Sequence, residues 1–170
     1  MEIYTIDKPE QLQMLRRIAD PVQDIDSNIA QLAQDMVHTM IKGNGIGLAG
    51  PQVGRLLRIF TIKPGNAEPL VFINPEIIAT SEELSLYDEG CLSIPGQYGE
   101  VKRPAAVQIH AWNTKGRPFT MEVDQLMATV IQHELDHLNG VLFLDHLKKG
   151  KKNKILKHFS VKPADYPEIA

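Results

Sequence analysis

Apolar residues recur along this chain with two different periods, and the change of period marks its elements. From Asn28 to Lys42, Ile29, Leu32, Ala33, Met36, Val37, Met40 and Ile41 follow the i, i+3, i+4, i+7 spacing of a helix with one buried face. Asp26 or Ser27 supplies a cap at its start, and Gly43 a stop at its end. The middle of the chain reads as short strands at Leu57–Ile62, Leu70–Ile73, Glu76–Leu86, Val107–Asn113 and Arg117–Val123. Pro64-Gly65, Asn74-Pro75 and Asn113-Thr114-Lys115-Gly116 separate them. The spacers are too short for most parallel crossovers, which need roughly a dozen residues, so the pairing is predicted to be antiparallel.

A second helix is predicted from Asp124 to Leu138, with Asn139-Gly140 as its stop. Leu126, Met127, Ala128, Val130, Ile131, Leu135 and Leu138 surround most of its circumference, the pattern of a buried helix. The same helix carries Gln132, His133, Glu134, Asp136 and His137, and buried polar groups are costly unless partnered. A bound ion would partner them. The expected fold is therefore α+β, with antiparallel sheets around a buried central helix, an N-terminal helix and a short C-terminal helix.

Composition narrows the picture. The 170 residues, 43% of them hydrophobic, suit one compact domain. Repeats, low-complexity blocks and Gly/Ser linkers are missing from the sequence, so residues 1–147 are read as a single catalytic domain, with 148–170 as its basic tail. No apolar run approaches the roughly 20 residues that span a bilayer, and the opening residues lack a basic segment followed by a hydrophobic one. A soluble cytoplasmic protein without a membrane partner is expected. The net charge of -3 gives no general attraction to nucleic acid, and DNA is not an expected partner.

His133-Glu134-Leu135-Asp136-His137 is an H-E-x-x-H sequence, which on a helix sets two imidazoles one turn apart on one face. Glu134 is turned about 100° from His133, yet it is long enough to reach a water on the shared metal and act as general base. Asp136 is read as a hydrogen-bond or salt-bridge partner and not as a ligand. Catalytic sites of this type use three protein ligands and an open position. Six residues after His137, where one protease class has its third histidine, this chain has Phe143, so the third ligand is sought upstream.

Cys91, the single cysteine, lies in the glycine-flanked segment Glu89-Gly90-Cys91-Leu92-Ser93-Ile94-Pro95-Gly96. Alone it would be read as a small buried hydrophobe; beside two helical histidines it becomes the candidate thiolate ligand for zinc or ferrous iron. A third segment, Gly43 to Gly54, lacks the Gly-Lys-Ser/Thr ending of a phosphate loop and follows a helix instead of a strand. Its glycines suit either a tight turn or a close approach of substrate backbone, with Gln52 as an amide donor.

Together the three segments resemble the peptide deformylase family, whose motifs are G-Φ-G-Φ-A-A-x-Q, E-G-C-Φ-S and H-E-Φ-D-H, where Φ is apolar. One departure is Gly50 in place of the usual alanine, which is expected to widen the backbone near Gln52 slightly. The resemblance implies removal of the formyl group from N-formylmethionyl peptides, with Cys91, His133 and His137 as metal ligands and Glu134 as general acid/base. It also implies Gln52 and the Leu92 N–H as oxyanion donors, Gly47 as a backbone contact to substrate, and Ile46, Leu126, Thr129 and Val130 as the methionine pocket. Fe(2+) is the implied ion, with Zn(2+) or Ni(2+) as substitutes.

By the same resemblance Arg103 pairs with Glu89 and holds the Cys91 loop, while Tyr98 stands where some members have arginine. The cluster Lys148, Lys149, Lys151, Lys152, Lys154 and Lys157, with Ile155, Leu156 and Phe159, reads as a solvated terminus or a short amphipathic helix. The resemblance adds a transient contact with the ribosome near the peptide exit. Two other classes stay open on sequence: a metallopeptidase sharing H-E-x-x-H, and a non-catalytic metal-binding or ribosome-associated module.

Overall fold

A computed structural model describes residues 1–169. In chain order the helices are α1 (Pro9–Leu15), α2 (Ser27–Lys42), α3 (Gln125–Leu138) and α4 (Lys149–His158). The strands are β1 (Gly47–Ala49), β2 (Ile59–Ile62), β3 (Leu70–Thr80), β4 (Leu84–Cys91), β5 (Ile94–Pro104), β6 (Ala106–Trp112) and β7 (Pro118–Asp124). An antiparallel sheet of order β1-β2-β3-β6-β7 packs on one side of α3, and the β4–β5 hairpin closes its other side. The buried central helix between antiparallel sheets is the architecture expected from the sequence.

The sheet is covered on both faces near β1 and β2, which explains the unbroken apolar run Ile59 to Ile62 in place of alternation. Ala49, Phe60, Phe72 and Ile109 turn toward α3, where Ala128, Ile131 and Leu138 meet them. Leu48, Ile59 and Ile73 turn the other way, onto Ala33, Met36 and Met40 of α2. Phe60 and Phe72 stack with centroids 4.8 Å apart, a geometry that contributes about 0.5–1.5 kcal/mol beyond burial. Asp26 caps α2 by accepting from the Ile29 N–H at 3.0 Å, which decides between the two cap candidates.

Several boundaries differ from the sequence expectation for identifiable reasons. Asn74-Pro75 does not end a strand. β3 runs through it as a bulge, with the positive φ of 49° falling on Asn74, whose side chain pairs with the Val22 N–H and C=O at 2.8 and 2.9 Å. The run Glu76–Leu86 is instead divided, because Ser81 accepts from Ala106 and donates to Glu83, turning the chain from the sheet into the hairpin. β5 has no counterpart among the strands read from the sequence, since Pro95, Gly96 and Gly99 obscure it. Yet Gly99, Val101 and Arg103 are buried while Glu100 and Lys102 are exposed, a period of two that an inward arginine disguises. The short α1 carries too few residues for a periodic signal.

The third core lies under the hairpin, where Ile6, Leu12, Leu15, Ile94, Val101 and Phe143 meet Ile155 and Leu156 of α4 and Tyr166 beyond it. The basic segment therefore forms a helix with an apolar face docked in this core and Lys149, Lys151, Lys154 and Lys157 outward, while Lys152 lies over the Tyr166 ring, and it is no solvated terminus. Arg16 ties the segment down: it donates to both oxygens of Asp145, to Gly140 O at 3.0 Å and to Pro167 O at 2.9 Å. Gly140 itself ends α3 at a φ of 72°, and a Cβ there would strike the Arg16 carbonyl, so only glycine fits this turn.

Burial works against the charge of Asp145, but hydrogen bonds from Arg16 and the Leu142 N–H outweigh it and lower its pKa. A carboxylate with a lowered folded pKa stabilises above its unfolded value near 3.9 and loses that contribution as pH falls through the folded value. Asp145→Asn is accordingly expected to lower the thermal midpoint at pH 7 and to differ progressively less from wild type below about pH 4. Calorimetry across pH 2–7 checks this.

Gly50 does not widen the backbone as expected. A Cβ there would lie 2.7 Å from the carbonyl oxygens of Arg55 and Leu57, and the Arg55 N–H donates to Gly50 O at 2.9 Å, so the loop is closed tightly over glycine. Gly50→Ala should destabilise by about 1–3 kcal/mol, the usual cost of overpacking, measured as a denaturant midpoint.

Candidate metal centre

Three elements bring the site together. The helical geometry of α3 sets His133 and His137 one turn apart, with ring centroids 5.0 Å from each other. The end of β4 delivers Cys91, whose Sγ lies 3.3 Å from His137 Nε2. Ligand atoms of Cys91, His133 and His137 all fall within 4.8 Å of one another. A thiolate with two imidazoles suits zinc or ferrous iron, and three protein ligands leave a position open.

The surroundings fit an ion. His133 Nδ1 is 2.9 Å from Glu89 Oε1, so the ring donates there and presents the lone pair of Nε2 inward. Glu89 is held in turn by Arg103, through Nε at 2.7 Å and Nη2 at 3.0 Å, and Arg103 Nη1 reaches Asp136 at 2.9 Å. Burial opposes ionisation of Glu89, but His133 and Arg103 prevail and hold its pKa at about 2. Around His133, burial disfavours charge, while Cys91 and Glu89 outweigh it and raise the pKa, a field that favours a cation. His137 is kept neutral by burial and by the neighbouring His133 and Arg103.

Glu134 is 4% exposed, and its Oε2 has no hydrogen-bond partner among the described residues. Burial raises its pKa to about 7, with His133 opposing and Glu89 adding to the rise. That value suits a group that must both take and return a proton near neutrality. The carboxylate fits only because residue 47 is glycine, since a Cβ on Gly47 would collide with Glu134 Oε1.

Gln52 follows β1 in a one-turn 3-10 helix, Gly50–Val53. Its Oε1 accepts from the Ala49 N–H at 2.9 Å, which fixes the amide with its NH₂ toward Ser93 Oγ at 3.1 Å and Cys91 Sγ at 3.5 Å. Leu92 stands next to Cys91 in the turn between β4 and β5. The glycine segment is thus neither a mere turn nor a loop alone: it supplies the edge strand β1 and aims an amide at the Cys91 sulfur.

A cavity of about 530 Å³ opens beside these groups, lined by Ile46, Gly47, Leu126, Thr129 and Val130 together with Gln52, Cys91, Leu92, His133 and Glu134. Every candidate site residue but His137 lines it, and His137 is buried behind Cys91. Tyr98 sits at the rim over Gly90, where a Cβ would come within 2.6 Å of its ring. Sequence reasoning gave no role to Ser93, which anchors the Gln52 amide, or to Phe143, whose ring lies 6.3 Å from that of His133. The serine was legible as the last letter of its motif; the contact of Phe143 depends on tertiary folding.

Comparison with known proteins agrees with this geometry. The family model described as polypeptide deformylase matches residues 1–153. A peptide deformylase of Afipia carboxidovorans is 48% identical over 150 residues, covering 86% of this chain and 88% of its own. One from Rhizobium meliloti is 47% identical over 151 residues, covering 86% and 87%. Among solved structures, a peptide deformylase from Synechococcus elongatus in complex with actinonin superposes with a TM-score of 0.90 at 37% identity, covering 99% of this chain and 92% of that one. The enzyme from Thermus thermophilus gives 0.84 at 38% identity, with 97% and 94% covered. The chain belongs to the polypeptide deformylase family.

Proposed function

We propose that this deformylase hydrolyses the N-formyl group of formylmethionine on nascent polypeptides through a metal-activated water, with Cys91, His133 and His137 as ligands and Glu134 as general acid/base. The observation that carries this reading is the convergence of a thiolate, two imidazoles, an unpartnered carboxylate and an aimed amide on one cavity. A divalent ion bound there supplies Lewis acidity and lowers the pKa of water toward neutrality. Glu134 accepts the proton of that water and later returns it to the departing amine. Gln52 Nε2 and the Leu92 N–H donate to the oxygen on which negative charge develops; one such donor is typically worth about 10²–10³ in rate.

Ile46, Leu126, Thr129 and Val130 form the wall for the methionine side chain, and Gly47 offers its backbone to the substrate peptide. The native ion is Fe(2+), with Zn(2+) or Ni(2+) able to substitute. Residues 1–147 act as one catalytic domain with 148–170 as part of it, and the enzyme works in the cytoplasm. Anaerobic purification followed by metal analysis, and assay of the same sample on a formyl-Met peptide and an unmodified peptide, tests the assignment. Release of formate alone supports it; cleavage of the unmodified peptide points to a metallopeptidase. Glu134→Gln should keep its metal and lose almost all turnover. Unchanged turnover would remove Glu134 from the proton transfer, and bound metal without formate release in the wild type would leave only a metal-binding module.

The outward lysines of α4, Lys149, Lys151, Lys154 and Lys157, support transient docking on ribosomal RNA near the peptide exit. Truncation is no test, because it removes Ile155, Leu156 and Tyr166 from the core. Reversing Lys151, Lys154 and Lys157 to Glu should instead abolish co-sedimentation with ribosomes at low salt and leave formate release from a free peptide intact. Retained co-sedimentation would end the docking idea.

A further inference from the structure

Phe143 opens a one-turn 3-10 helix, Phe143–His146, whose far end meets α3 a second time. His146 Nε2 lies 2.8 Å from Asp136 Oδ2, the same oxygen that accepts from Arg103 Nη1 at 2.9 Å. A carboxylate oxygen only accepts here, so Nε2 of His146 is the donor. From there the path is continuous: Arg103 grips both oxygens of Glu89, and Glu89 accepts from His133 Nδ1. His146, Asp136, Arg103, Glu89 and His133 form one hydrogen-bonded chain that runs from the surface to a ligand.

We propose that His146 is a positioning residue for the His133 ligand, acting through Asp136, Arg103 and Glu89. The physical basis is the gradient of burial along the chain. Glu89 and Arg103 have side chains only 4% and 6% exposed and are locked by each other, whereas the Asp136 side chain is 23% exposed and has solvent as a competing partner. The second donor from His146 keeps Oδ2 facing Arg103. Without it the Asp136 carboxylate is free to turn toward water, Arg103 loses its outer brace, and the angle at which Glu89 fixes the His133 ring relaxes. The same turn braces His133 directly through Phe143, and it is itself anchored by Asp145 through Arg16 and through Tyr166 Oη at 3.2 Å.

The inference rests on the reading that Cys91, His133 and His137 bind the metal, and its test separates the two. Wild type, His146→Ala, His146→Gln and the remote control His158→Ala are loaded with Co²⁺, and release to excess chelator is followed by loss of the visible spectrum. His146→Ala should release the ion roughly 3–10-fold faster, less than the roughly 10–100-fold typical of a direct ligand partner. Glutamine, which can still donate to Asp136, should restore a rate close to wild type, and His158→Ala should match wild type. An unchanged rate in His146→Ala overturns the proposal, as does a glutamine variant that releases as fast as alanine. So do lowered thermal midpoints in both variants with wild-type release, the sign of a structural role alone. A wild-type chain lacking a thiolate-to-cobalt band overturns the metal-site reading and the proposal with it.

Discussion

The carboxylate of Glu89 is the point on which the molecule turns. It projects from β4 of the hairpin, takes two hydrogen bonds from Arg103 of β5 and one from His133 of α3, and so fastens the hairpin to the helix that the sheet cradles on its other side. A buried ion pair adds little net stability over an apolar replacement, but removing one partner strands the other charge in a dry interior. Its value here is geometric. With Glu89 in place the end of β4 cannot slide along α3, and the Cys91 Sγ, two residues on, lies 3.3 Å from His137 Nε2.

Other constraints follow from this closeness. Strands and helix approach so tightly that side chains are excluded at chosen points: Gly47 makes space for Glu134, Gly90 for the Tyr98 ring, and Gly45 for Leu92. Gly45 and Gly47 mark contacts between elements distant in sequence, and Gly90 one across the β4–β5 hairpin. The glycine-rich look of the segment after α2 therefore reflects crowding around a carboxylate and a thiolate loop rather than a wish for flexibility.

Much of this was legible in the sequence, and the reasons differ by element. The period of α2 and α3, and the H-E-x-x-H letters on the latter, announce both the helix and two candidate ligands, because helical spacing alone makes His133 and His137 neighbours. Cys91 and Gln52 became informative only through motifs taken together, since no local rule says that residues 39 positions apart will touch. β5 escaped because Arg103 points inward, against the rule that charges face water, and its partner Glu89 lies on another strand. The C-terminal helix was legible from Ile155, Leu156 and Phe159, but its docking was not, because its lysines dominate the composition and the core it joins is built from Ile6, Leu12 and Val101, far away in sequence.

Among the described residues the short strand β1 pairs on one side only, with β2, and it borders the cavity. An open strand edge presents N–H and C=O groups in a fixed rhythm that any extended chain can match, whatever its side chains. On the proposed reading, in which the pocket takes the terminal side chain and Gly47 on this edge meets the peptide, every contact made through the edge is with groups that all peptides share.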